Sequence, residues 1–212
     1  KIVRQILLSF GRKQHKASSK EALILMDILD EEIGKALWNI TAKEELSDNE
    51  FNNPLQNALD EEITSSFEFI YMLLSIIYDP ESVELVKENV ELGTIEGSAY
   101  AIELLDIFLD QDMKPKLFPL IDDVSAKEKL DKLQVFYPRQ LYEEQDTYNY
   151  ILNRESSHAN RWTKACTLYA IAENETIEID DSIVAHMFNP DPLLAELATW
   201  ITYKQKPTQY RS

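Results

Sequence analysis

The residues of this chain with the best claim to chemistry are three carboxylates, Glu103, Asp106 and Asp110, spaced three and four apart. On a helix that spacing puts all three on one face, where a divalent ion could bridge them. A row of solvated acids has the same spacing, so both readings stand. His15, His158 and His186 are far apart, and none belongs to a His-Glu-x-x-His arrangement. Cys166 is the only cysteine and sits among small residues, Ala165 and Ala170, which reads as burial. One thiol excludes an internal disulfide and a zinc site of paired cysteines, and it suits a reducing compartment.

Adjacent acid pairs occur at Glu31-Glu32, Glu61-Glu62, Asp122-Asp123, Glu143-Glu144 and Asp180-Asp181, among others. Helical neighbours point about a hundred degrees apart, so these are not acid–base pairs, and several fall where acids favour a helix start. Gly93 and Gly97 have neither a preceding strand nor a following Gly-Lys-Ser/Thr, which excludes a phosphate-cradling loop. The sequence therefore predicts no catalytic residue and no cofactor. Aromatic residues are the remaining candidates: Phe136, Tyr137, Tyr142, Tyr148, Tyr150 and Trp162 crowd one stretch. Tyr and Trp dominate binding hot spots, which makes Tyr137, Tyr142, Tyr148, Tyr150 and Trp162 a candidate partner interface. They fill cores between helices equally well.

The elements that would carry these side chains are all helices. Only 4 glycines occur in 212 residues, and period-two alternation is absent. About ten helices are predicted, the first over residues 2 to 14. Ser18 to Glu21 and Ser125 to Glu128 have capping-box spacing, and Asp79-Pro80 ends one helix and starts another. Asn53-Pro54, Pro115 and Pro138 read as further helix starts, followed by helices over 162 to 172, 181 to 188 and 192 to 203. Residues 204 to 212 have no apolar periodicity and read as a frayed tail. Leu105, in the most periodic segment, is predicted to be core.

Charge is segregated. The net charge is −17, yet residues 1 to 20 hold six basic side chains and residues 197 to 212 hold three, with no acid in either stretch. The middle is strongly anionic and should repel nucleic acid. Arg12, Lys13, Lys16 and Lys20 are a candidate surface for anionic lipid, or a solvated basic loop. The longest charge-free run, Phe69 to Tyr78, has ten residues, about half a membrane span. No signal peptide is visible, and Lys at position 1 reads as a piece of a longer chain.

The segments ALILMDI at 22 to 28 and AIELLDI at 101 to 107 are similar at a separation that fits two repeats of about forty residues. Asn189-Pro190-Asp191-Pro192-Leu193-Leu194 followed by Ala195 resembles the opening of a HEAT repeat. It departs at Ala195, where many repeats carry a basic residue, and Lys164 holds the matching place in the preceding segment. AIELLD, LFPLIDD and WTKACTLYAI together are similar to the cytoplasmic HEAT-like regions of bacterial ATP/ADP-carrier-like membrane transporters. The resemblance implies a single all-α solenoid of antiparallel helix pairs over 1 to 212. It further implies a non-catalytic scaffold for a protein partner or for other domains of a cytoplasmic, membrane-tethered protein. The alternative is an enzyme or a small-molecule or metal sensor with a pocket between helices.

Overall fold

A computed structural model describes Leu7, residues 16 to 174, Ile177 and residues 179 to 205. Helix accounts for 74% of the described residues, and no strand occurs among them. Ten α-helices are described: α1 Ser19–Glu44, α2 Asn53–Ile77, α3 Pro80–Glu91, α4 Ile95–Phe108, α5 Lys114–Ile121, α6 Ala126–Leu133, α7 Glu144–Asn153, α8 Arg161–Glu173, α9 Asp181–Ala185 and α10 Pro192–Gln205. The expected helix over 2 to 14 lies outside the described residues, Leu7 apart. So does the tail beyond residue 205.

Local chemistry sets the boundaries. The Ser18 backbone N–H and hydroxyl both donate to Glu21 Oε2, at 2.8 and 2.6 Å, and open α1. At α6 the Ser125 side chain accepts from the Glu128 N–H while Glu128 accepts from the Ser125 N–H, a reciprocal pair. Asp79 accepts from the Ser82 N–H at 2.8 Å, with Pro80 in the first turn of α3. Gly93, at φ +62°, ends that helix in the left-handed region. Gly97 then lets α4 start close by: a Cβ there would lie 2.4 Å from the Asn89 carbonyl oxygen.

Helix α2 starts at Asn53 as expected, and the Asn52 carbonyl flanking it accepts the Gln56 N–H at 2.8 Å. Two other helices differ from expectation. Pro138 opens no helix; residues 138 to 143 are irregular and α7 begins at Glu144. The segment is held instead by side chains, since Arg139 Nη1 donates to the Trp38 carbonyl at 2.7 Å and its guanidinium lies over the Trp38 ring. The predicted helix over 181 to 188 is α9 followed by a single 3₁₀ turn, His186–Phe188.

The chain divides into two compact units, and the division falls inside both α1 and α2. Unit 1 comprises residues 1 to 41 and 63 to 140. Its core contains Leu29, Ile33 and Leu37 of α1, Ile70, Leu73 and Leu74 of α2, Leu105 of α4, Leu117 of α5 and Leu133 of α6. Leu105 is fully buried, as predicted. The two similar segments do not bury equivalent positions: Leu25 and Leu105 are buried, whereas their counterparts Leu104 and Met26 are only partly so. Unit 2 comprises residues 42 to 62 and 141 to 212, with α7 to α10 and a core that includes Leu55, Leu59, Tyr148, Ile151, Leu168, Ile171 and Ile201.

One device recurs in both units. The last carbonyls of a helix lack intrahelical donors, and here lysines of later helices supply them. Lys114 Nζ donates to the Asp106 carbonyl of α4 at 2.8 Å, and Lys129 to the Leu120 carbonyl of α5 at 2.7 Å and to that of Asp122. Lys164 donates to the Arg154 carbonyl after α7, and Lys204 to the Ala172 carbonyl of α8 at 3.1 Å. Burial lowers the pKa of Lys129 and Lys164; a neighbouring Arg154 adds to this at Lys164, while Asp122 and Asp123 oppose it at Lys129. Lys204, placed by sequence in a frayed tail, is helical and tied.

Candidate functional site

The carboxylate row does not survive folding. Helix α4 ends at Phe108, and Leu109 is extended at φ −75°, ψ 140°, so Asp110 leaves the face shared by Glu103 and Asp106. Asp106 Oδ1 pairs with Lys114 Nζ at 2.7 Å, and Asp110 Oδ2 accepts the Tyr78 hydroxyl at 3.0 Å. No group of three or more His, Cys, Asp or Glu side chains is placed to hold a metal ion among the described residues. The three acids serve as helix-end partners and exposed surface instead.

The five candidate interface aromatics divide between the units, Tyr137 in unit 1 and the other four in unit 2. In unit 1, the Tyr137 hydroxyl bonds Asp30 Oδ1, which also pairs with Lys116 Nζ at 2.9 Å. Its ring lies on Gly34, where a Cβ would come within 2.8 Å of Cδ1. In unit 2, Tyr148 is 0% exposed and belongs to the core rather than to an interface. Tyr142 and Tyr150 remain near the surface as a pair, ring centroids 4.4 Å apart, and Trp162 is 56% exposed at the start of α8. Asn160 fixes that helix start by accepting from the N–H groups of Trp162 and Thr163, at 2.7 and 3.1 Å. Lys16 and Lys20 are exposed, while Arg12 and Lys13 lie outside the described residues.

What the sequence reading missed is a buried polar network in unit 2. The Tyr148 hydroxyl donates to Asn52 Oδ1 at 2.6 Å. Asn52 donates to Glu144 Oε1 at 2.7 Å and to the Ser47 carbonyl at 2.9 Å, and the Ser47 N–H donates to the same Glu144 oxygen at 2.7 Å. Glu144 Oε2 accepts from Asn174 at 3.3 Å. Nearby, Glu45 accepts the Tyr142 N–H at 3.0 Å and the Thr147 hydroxyl at 2.7 Å. Glu62 Oε1 accepts the Asn160 N–H at 2.7 Å and the Thr163 hydroxyl at 3.1 Å. Members of two of the acid pairs, Glu62 and Glu144, are thus anchors that hold the 42 to 62 segment to α7 and α8.

The reactive groups are muted by their surroundings. Burial pushes the Cys166 thiol up to about 11, with the charge of Glu61 contributing, so it stays protonated and un-nucleophilic at neutral pH. Burial and Lys164 lower the His186 pKa. Among the described residues no helix is long and apolar enough to cross a membrane. Comparison of the chain with protein-family models, with curated proteins and with solved structures gives no match.

Proposed function

We propose that this chain is a non-catalytic scaffold that binds a protein partner through aromatic side chains displayed by unit 2. The observation that carries the reading is the tilted Tyr142–Tyr150 ring pair together with exposed Trp162, large amphipathic side chains beside a polar framework. Tyrosine and tryptophan have few rotatable bonds and lose little conformational freedom on binding. The resemblance to HEAT-like helix pairs supplies the rest of the proposal: a solenoid in the cytoplasm, in a larger transporter-like membrane protein whose partner is another protein or domain. The lysines that tie four helix ends to later helices favour that reading, since stacked helix pairs depend on contacts between sequence neighbours.

A photo-crosslinking residue at position 150 or 162, with position 107 of unit 1 as control, tests it in cells. A single protein captured from 150 and 162 but not from 107, and lost on Trp162→Ala, supports the scaffold. Equal labelling from all three positions removes it. Flotation with vesicles containing or lacking anionic lipid tests the membrane setting, and indifference to lipid charge removes the lipid-facing role of Lys16 and Lys20.

A further inference from the structure

A second feature, independent of the aromatic surface, lies in unit 1. Glu68, Tyr71, Met72 and Ser75 of α2 lie at positions i, i+3, i+4 and i+7 and share a face. With Glu84 and Lys87 of α3 they line a cleft of about 280 Å³. Tyr71 is only 6% exposed, and its buried hydroxyl has no hydrogen-bond partner. Native proteins leave few such groups, because an unmet buried hydroxyl forfeits its hydration without replacement.

The charges around the cleft are unbalanced. Lys87 Nζ is 3.7 Å from Glu91 Oε1, one turn further along α3. Glu68 and Glu84 are exposed and have no ion pair among the described residues. Burial, with Glu91 adding to it, pushes the Tyr71 phenol well above its ordinary range, so it remains a neutral hydroxyl. We propose that this cleft binds a small aliphatic ammonium group, either a free amine or a lysine side chain of a peptide, with Glu68 and Glu84 as counter-ions and the Tyr71 oxygen as a further acceptor.

The alternatives fail on chemistry. Two carboxylates repel an anion. A volume of about 280 Å³ is at the lower edge of the range of roughly 300 to 1,000 Å³ for ligand pockets, too small for a nucleotide. A divalent ion lacks a third carboxylate, histidine or cysteine ligand. An ammonium group has three donors and no acceptor, which matches a site made of two carboxylates and one unsatisfied phenol oxygen. Glu68, Met72, Glu84 and Lys87, which line the cleft together with Tyr71, are long unbranched side chains that change rotamer within nanoseconds.

The test is calorimetric and NMR titration of the full chain at low salt with 1,4-diaminobutane and with N-acetyl-lysine methylamide. Sodium chloride at matched ionic strength and tetramethylammonium chloride, which has no N–H donor, are the controls. Saturable binding of either probe is expected, at least fivefold weaker in Glu84→Gln, an exposed change that leaves the fold intact. Tyr71→Phe is expected to weaken it similarly while leaving the free protein as stable or more so. The tighter probe then distinguishes a free amine from a peptide lysine. A response matched by sodium chloride or tetramethylammonium, or one unchanged in both variants, overturns the proposal.

Discussion

Replacing Tyr148 by Phe removes one oxygen and leaves the ring in place, so it tests the buried network with little change in packing. The hydroxyl donates to Asn52 Oδ1 at 2.6 Å, and both residues are 0% exposed. The Asn52 amide cannot turn to compensate, because its nitrogen is already committed to Glu144 Oε1 and the Ser47 carbonyl. Tyr148→Phe therefore strands a buried carbonyl oxygen, at a cost of about 1 to 3 kcal/mol. For a chain of this length that is a drop of roughly 2 to 12 °C in Tm. Urea unfolding followed by the circular dichroism of unit 2, with Tyr148→Phe, Asn52→Ala and the double variant, measures the coupling directly. Additive single effects, or a cost below about 0.5 kcal/mol for Tyr148→Phe, refute the network as a stabilising unit.

Leu105→Ala empties a fully buried site on α4 and should cost about 2 to 5 kcal/mol by denaturant titration. Gly34→Ala gains about 1 kcal/mol of helix propensity but pushes the Tyr137 ring off its seat, so it should destabilise. In a Tyr137→Ala background the same change should stabilise. Cys166 should resist a thiol reagent at pH 8 in the native protein and react at once in guanidinium, as its thiol is buried with a pKa of about 11. The His186 pKa is lowered from 6.5, so the unfolded chain takes up a proton that the native one refuses. Stability should therefore fall as pH drops below about 6.5, and His186→Gln should narrow the gap in urea midpoint between pH 7.5 and 5.0.

Features encoded by neighbours were legible in the sequence. Ser18 with Glu21, Ser125 with Glu128, and Asp79 with Pro80 announce helix starts because a cap acts within one turn. Leu105 is legible as core because its period is. Pro138 misled, because proline suits irregular segments as well as helix starts, and Arg139 and Tyr137 fasten that stretch to α1, about a hundred positions away in sequence. Asp110 misled because spacing implies a shared face only while the helix continues. The polar network was invisible: nothing in periodicity pairs Asn52, Glu62 and Glu144 with partners more than ninety positions away. The cleft at Tyr71 was hidden differently, its phenol lying in the most apolar run of the chain.

The lysine ties also bear on the order in which the chain can fold. Lys114 reaches back 8 residues, Lys164 10, and Lys129 7 and 9. Closing loops that short takes tens of nanoseconds and little entropy, so these helix pairs can lock as soon as both members have left the ribosome. The contacts of Asn52 with Glu144 and Tyr148 span 92 and 96 residues, and unit 2 is interrupted by the whole of residues 63 to 140. During synthesis the 42 to 62 segment therefore waits, its polar groups hydrated, until α7 emerges to receive it. Unit 1 has all of its segments by Gln140 and can fold first, while unit 2 closes only when its second half arrives.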